Sequence, residues 1–166
     1  LSNALPIGAH AETTIQETAA AHDLPKQAQA IDSLPAAIQG RISESGEVDY
    51  YAIRVQAGET WTFETICSDA LDAAISLYKP GGSWFDPDRP KRIAFTDEPV
   101  SYPNLTTEAS LRYRFETAGE YYVRVNGFWG HGGPGQEYTL RIHKGDPAKP
   151  EKPSRWAERS WTREVN

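Results

Sequence analysis

Residues 46–59 read Gly-Glu-Val-Asp-Tyr-Tyr-Ala-Ile-Arg-Val-Gln-Ala-Gly-Glu, an alternating run closed by a glycine turn. Tyr51, Ile53 and Val55 fall on one face, and Tyr50, Ala52 and Arg54 on the other. Alternation of aromatic and β-branched residues at period two predicts a strand with one buried face. The pattern returns at residues 111–120, which end in the same Ala118-Gly119-Glu120. A new alternating run follows each turn, residues 60–66 in the first case and 121–125 in the second. Two such hairpin-like units predict two sheets built on a similar plan.

The rest of the chain fits around these units. Residues 37–43 predict a first short strand with Ile38 and Ile42 as its apolar positions. In residues 60–66, Trp61, Phe63 and Thr65 share a face, and Ile66 breaks the alternation, the mark of a bulge. Residues 73–78 turn Ile75 and Leu77 inward, and residues 137–143 do the same with Tyr138, Leu140 and Ile142. Residues 91–96 are short and charged, as suits a strand near an edge. Two long connections are dense in chain breakers: residues 80–90 and the glycine-rich 126–136. The count is about eight short strands with no strong helix, which predicts an all-β, antiparallel β-sandwich with jelly-roll-like topology.

The domain is expected to run from residue 24 to 143. Residues 1–23 read as an irregular lead-in that packs onto it, since Ile15 is the only large apolar residue of the helix-compatible stretch 12–22. Ser2-Asn3-Ala4 reads as the remnant of an expression tag, and both ends of the chain read as cut. Residues 144–166 form a proline-rich linker and a charged tail with Trp156 and Trp161, which either folds back or begins another module.

Bulk properties exclude some functions. At 166 residues the chain is long enough for one well-buried core. A formal net charge of −6 argues against binding nucleic acid. No apolar run is long enough to span a membrane as a helix. The single cysteine, Cys67, has no internal disulfide partner and reads as a small buried residue. No Gly-x-Ser-x-Gly elbow occurs, and His10, His22, His131 and His143 carry no motif that aims them at a nucleophile, so no catalytic residues are expected. Asp86, Asp88, Asp97 and Glu98 read as loop acids that bond turn amides. Loop aromatics are the more informative group. Trp84 and Phe85 in one loop, and Phe128 and Trp129 in the other, are either packed as plugs or displayed for a ligand.

The pieces together resemble the bacterial pre-peptidase C-terminal domain family, accessory β-sandwich modules of secreted peptidases and other exported proteins. The resemblance is carried by Ala28-Gln29, Leu34-Pro35, Gly40-Arg41-Ile42, the run from Asp49 to Val55, Ala57-Gly58-Glu59, Asp72 to Tyr78, Asp97-Glu98, Ala118 to Val125, and Tyr138-Thr139-Leu140. It implies a non-catalytic, secreted or cell-surface module. Such a module binds a protein or matrix substrate, or assists secretion and maturation of its parent, and its partners include the parent's other domains. Tyr50 and Tyr122 on a strand face would join Trp84, Phe85, Phe128 and Trp129 in recognition. A carbohydrate-binding module and a purely structural spacer are the alternatives. Some relatives, including the collagen-binding modules of clostridial collagenases, bind calcium where a lead-in reading Glu-x-Glu-Pro-Asn-Asp meets the central strand. Here the lead-in reads Thr18-Ala19-Ala20-Ala21-His22-Asp23. The resemblance therefore implies a calcium site at Asp23, Asp49 and Glu47, with Glu17 a further candidate. Otherwise Asp23 is a solvated turn residue and Asp49 bonds turn amides at the start of its strand.

Overall fold

A computed structural model describes residues 11–68, 71–82, 89–97 and 109–144. Trp84, Phe85, Asp86, Asp88, Glu98 and the 145–166 tail lie outside the described residues, as do the first ten.

Each alternating run forms a strand, and the inward sets meet as expected. One sheet contains β1 (Thr13–Gln16), β3 (Ala36–Arg41), β10 (Glu137–His143), β5 (Thr60–Cys67) and β8 (Ser110–Arg114), in the order β1-β3-β10-β5-β8. The other contains β2 (Gln29–Ala30), β4 (Val48–Val55), β9 (Gly119–Gly127), β6 (Ala73–Lys79) and β7 (Lys91–Thr96), in the order β2-β4-β9-β6-β7. The described residues thus form an all-β sandwich of two five-stranded sheets. Tyr51, Ile53, Leu77, Val123 and Ile75 from the second sheet pack on Ile38, Phe63, Leu140 and Ile142 from the first, all fully buried. Burying each such side chain contributes about 1.5–3 kcal/mol. Phe115 caps this core, its ring 4.6 Å from Tyr121 and 5.0 Å from Tyr113. Cys67 is buried in the same core.

Three expectations are corrected. The lead-in is not irregular throughout: it supplies β1 and β2, which pair in parallel with β3 and β4 and close one edge of each sheet. With these two, the described residues hold ten strands beside the eight or so read from the sequence, and theirs are the only parallel pairings among the described residues. Ile66 marks no bulge. It faces outward, 44% exposed, in unbroken register with Thr139, whereas the irregular register lies between Leu77 and Tyr78 on β6.

The third correction concerns the two Ala-Gly-Glu units. They are arches, not hairpins. β4 lies in one sheet and β5 in the other, and β8 and β9 are divided in the same way. The arches stack on each other: β4 pairs with β9, β5 with β8, and Gly58 N–H donates to Phe115 O at 2.7 Å. Among the described residues only β6 and β7 are consecutive strands paired in one sheet. This repeated crossing between sheets is the jelly-roll-like plan.

Candidate functional site

The lead-in leaves β1, passes over one end of the sandwich, and enters β2 in the opposite sheet. Glu17 extends the β1 ladder, its N–H donating to Gln39 O at 2.8 Å. At the far side Tyr50 N–H donates to His22 O at 2.8 Å, which ties the crossing to β4. Gln29 steadies the span by accepting from Thr18 N–H and donating to Gln16 O. Under this crossing lies an open groove of about 870 Å³ whose walls include Glu17, His22, Gly40, Asp49 and Tyr138.

Asp49 shares the inward face of β4 with Tyr51 and Ile53 and is 2% exposed. A buried carboxylate needs partners. Tyr138, from the opposite sheet, donates its hydroxyl proton to Asp49 Oδ2 at 2.6 Å. That proton is then committed, so Tyr51 is the donor in its 2.6 Å bond with the Tyr138 oxygen. The other oxygen, Oδ1, lies 3.4 Å from His22 Nε2. Glu17 is divided in the same way. Its Oε2 accepts from Arg41 N–H at 2.8 Å, and its Oε1 lies 3.3 Å from His22 Nε2. His22 itself is 6% exposed, with its ring against Tyr51 at 5.6 Å. Its Nδ1–H donates to Ala20 O at 2.9 Å. Nε2 is buried between the two carboxylates and makes no well-directed hydrogen bond to either.

The electrostatics follow from this crowding. Burial pushes Asp49 up to about 7, against the Tyr138 hydrogen bond that favours its charge, and the Glu17 carboxylate raises it further. Glu17 raises His22 to about 9, with burial opposing and the Ala20 carbonyl and Asp49 assisting. The Tyr138 hydroxyl is raised above its ordinary value by burial.

The calcium set read from the sequence is not assembled. Glu17, His22 and Asp49 are the only group of metal-ligating side chains among the described residues whose ligand atoms gather within 4.8 Å. Asp23 is exposed and outside that group. Glu47 is occupied elsewhere, its Oε2 accepting from the Ser43 and Glu44 amides, and so does the turn-capping expected of Asp49. Calcium takes about six to eight oxygens. Two free carboxylate oxygens and an imidazole nitrogen do not fit that ion. Sequence reading named Asp49 and Glu17 but did not join His22 to them. The signal available was the inward parity of Asp49, which demands a polar partner from elsewhere in the chain.

The aromatic candidates divide. Trp129 is 83% exposed and sits at φ 56° within the single-turn 3-10 helix Phe128–Gly130. Phe128 is half-buried beside it, the rings 5.1 Å apart and tilted by 62°. This loop is firmly held. Gly46 N–H and the Ser45 hydroxyl both donate to Gly130 O at 2.9 Å, and Gly133 N–H donates to Ile42 O. Tyr50 is not displayed as expected: it is 8% exposed, and on the outer face its ring packs against Tyr78 of β6 across the intervening β9. Tyr122 is half-buried, with its hydroxyl donating to Glu120.

No family model and no curated protein matches this sequence. Some solved structures align with it at low identity. A pre-peptidase C-terminal domain of collagenase from Bacillus anthracis aligns over 79% of this chain and 95% of its own, with TM-score 0.47 and 11% identity. PliG, a periplasmic inhibitor of g-type lysozyme from Aeromonas hydrophila, covers the same shares with TM-score 0.39 and 15% identity. CorA, a surface-associated copper-binding protein of Methylomicrobium album BG8, aligns over 70% of this chain and 96% of its own, with TM-score 0.48 and 8% identity. At these values the likenesses carry no functional argument, and the two-sheet architecture stands on the strand pairing of the chain itself.

Proposed function

We propose that this chain is a non-catalytic accessory module of an exported bacterial protein, and that it binds a protein or matrix partner through the loop carrying Trp129. One observation carries the reading: an indole 83% exposed, at φ 56°, on a loop pinned to the 43–46 turn. A left-handed conformation at a non-glycine residue costs about 1 kcal/mol or more. Such strain persists where the surroundings enforce it, and it clusters at binding sites. An exposed Trp on a backbone held in place offers a large apolar face with few torsions to freeze on binding. Phe128 is tilted 62° from it, so the pair makes a knob and not the flat platform that stacks on sugar rings. A knob suits a pocket or cleft on a protein surface. The order of motifs from Asp49 to Leu140 supports placing the module among exported accessory domains.

The test is retention of the purified chain on immobilised collagen, casein, cellulose and chitin, comparing wild type with Trp129→Ala. We expect retention on a protein matrix, weakened at least tenfold by the substitution while the thermal midpoint stays put, since Trp129 buries little. Retention on polysaccharide alone moves the assignment to a carbohydrate-binding module. Retention indifferent to Trp129→Ala removes the loop from recognition.

A further inference from the structure

We propose that Glu17, His22 and Asp49 form a three-donor site for a divalent transition ion of the zinc class, and that this ion staples the lead-in to the sandwich. The argument is geometric. Nε2 of His22 stands 3.3 Å from Glu17 Oε1 and 3.4 Å from Asp49 Oδ1. Zinc holds nitrogen and oxygen donors at about 2.0–2.1 Å in a tetrahedron, whose edges are then about 3.3 Å. Two edges of that figure are already in place.

The atoms behind the donors are arranged to match. A metal-bound imidazole characteristically donates its second N–H to a carbonyl or carboxylate, which fixes the ring and directs the other nitrogen at the ion. Here Nδ1–H goes to Ala20 O, and Nε2 is left buried without a directed partner. Both carboxylates follow the same rule. Arg41 N–H holds Glu17 Oε2 and the Tyr138 hydroxyl holds Asp49 Oδ2, so each acid presents one oxygen to the centre. An imidazole with two carboxylates is too poor in oxygen for calcium and suits zinc-class ions. Binding displaces any proton on Nε2 to solvent. The bordering groove leaves room for a water or a partner's donor at the fourth position.

Glu17 and His22 belong to the crossing segment and Asp49 to β4, so an occupied site ties the lead-in to the core. The competing arrangement is a protonated His22 held between two acids with no ion, and it makes the opposite prediction.

The experiment is zinc uptake by the full chain after treatment with a chelator, followed by calorimetry and by thermal unfolding, for wild type, Glu17→Gln and His22→Asn. Asn preserves a donor near the position of Nδ1 but supplies nothing at Nε2. The expected result is one equivalent of zinc bound by wild type, a higher unfolding midpoint with zinc, and no displacement by millimolar calcium. Each variant should lose about 100-fold in affinity, since even partners behind the ligands are worth 10–100-fold. Glu17 lies at the rim, so Glu17→Gln decides the matter if His22→Asn does not fold. No uptake by folded wild type overturns the site in favour of the protonated pair. Uptake that survives Glu17→Gln, or that calcium displaces, overturns it as well.

Discussion

Gly40 is small because the Tyr138 hydroxyl needs the space. A Cβ there would stand 2.6 Å from both Cζ and the hydroxyl oxygen of Tyr138 and 3.0 Å from the Tyr51 hydroxyl. Those hydroxyls form the chain that ends on Asp49. Gly40→Ala is therefore expected to cost about 1–3 kcal/mol by overpacking, measured by urea denaturation. Tyr138→Phe removes the donor to a buried carboxylate, at an expected cost of about 1–3 kcal/mol. The two effects should not add when combined, because both act through the same hydroxyl. Some of this was legible at the residue scale. The parity of Asp49 with Tyr51 and Ile53 puts it inside, and Gly40 stands out within an apolar strand. The imidazole was not legible, because His22 lies in a segment with no hydrophobic period, and only the crossing between sheets brings it to β4.

The eight strands from β3 to β10 were legible from alternation, but β1, β2 and the connections between strands were not. A hairpin and an arch present the same pattern of apolar parity, and what separates them is whether the chain stays in one sheet. The arch after β4 is fixed by Glu59. Its Oε2 accepts from Gln56 N–H at 2.9 Å and from the Trp61 indole at 3.1 Å, and its Oε1 accepts from Lys144 Nζ at 2.8 Å. The Gln56 amide first, then Lys144, hold this carboxylate at about 2, below its ordinary 4.5. A depressed carboxylate stabilises the fold above its unfolded-state value and loses that contribution as pH falls through its folded-state value. The midpoint advantage of wild type over Glu59→Gln should thus be full above pH 4.5, narrow below it, and be gone near pH 2 in thermal scans. The loop after β9 makes a second element-scale prediction. A Cβ on Gly132 would meet the backbone oxygen of Glu44 at 2.0 Å, an atom that cannot turn aside as a flexible side chain can. Gly132→Ala should lower the midpoint and, by unseating the loop, weaken whatever binding depends on Trp129, with both effects visible in one set of variants.

For the whole molecule, the two-sheet plan was predictable from turn spacing, but the strand order was not, since several sandwich topologies share that spacing. The pairings β4 with β9, β3 with β10 and β5 with β8 join strands far apart in sequence. Loop closure must precede such contacts, so refolding from denaturant is expected on the millisecond-to-second scale in stopped-flow fluorescence, slower than for helical chains of this size. Among the described residues no helix is long and apolar enough to cross a membrane. The lead-in has a mechanical consequence. One short stretch of chain forms the border of both sheets, β1 on the first and β2 on the second, with Glu17 to His22 spanning the gap. Tension applied from the N-terminal side must peel β1 first and reaches β2 only through that span. The crossing therefore behaves as a seam between the two halves of the molecule, and whatever tightens it sets the force at which they begin to part.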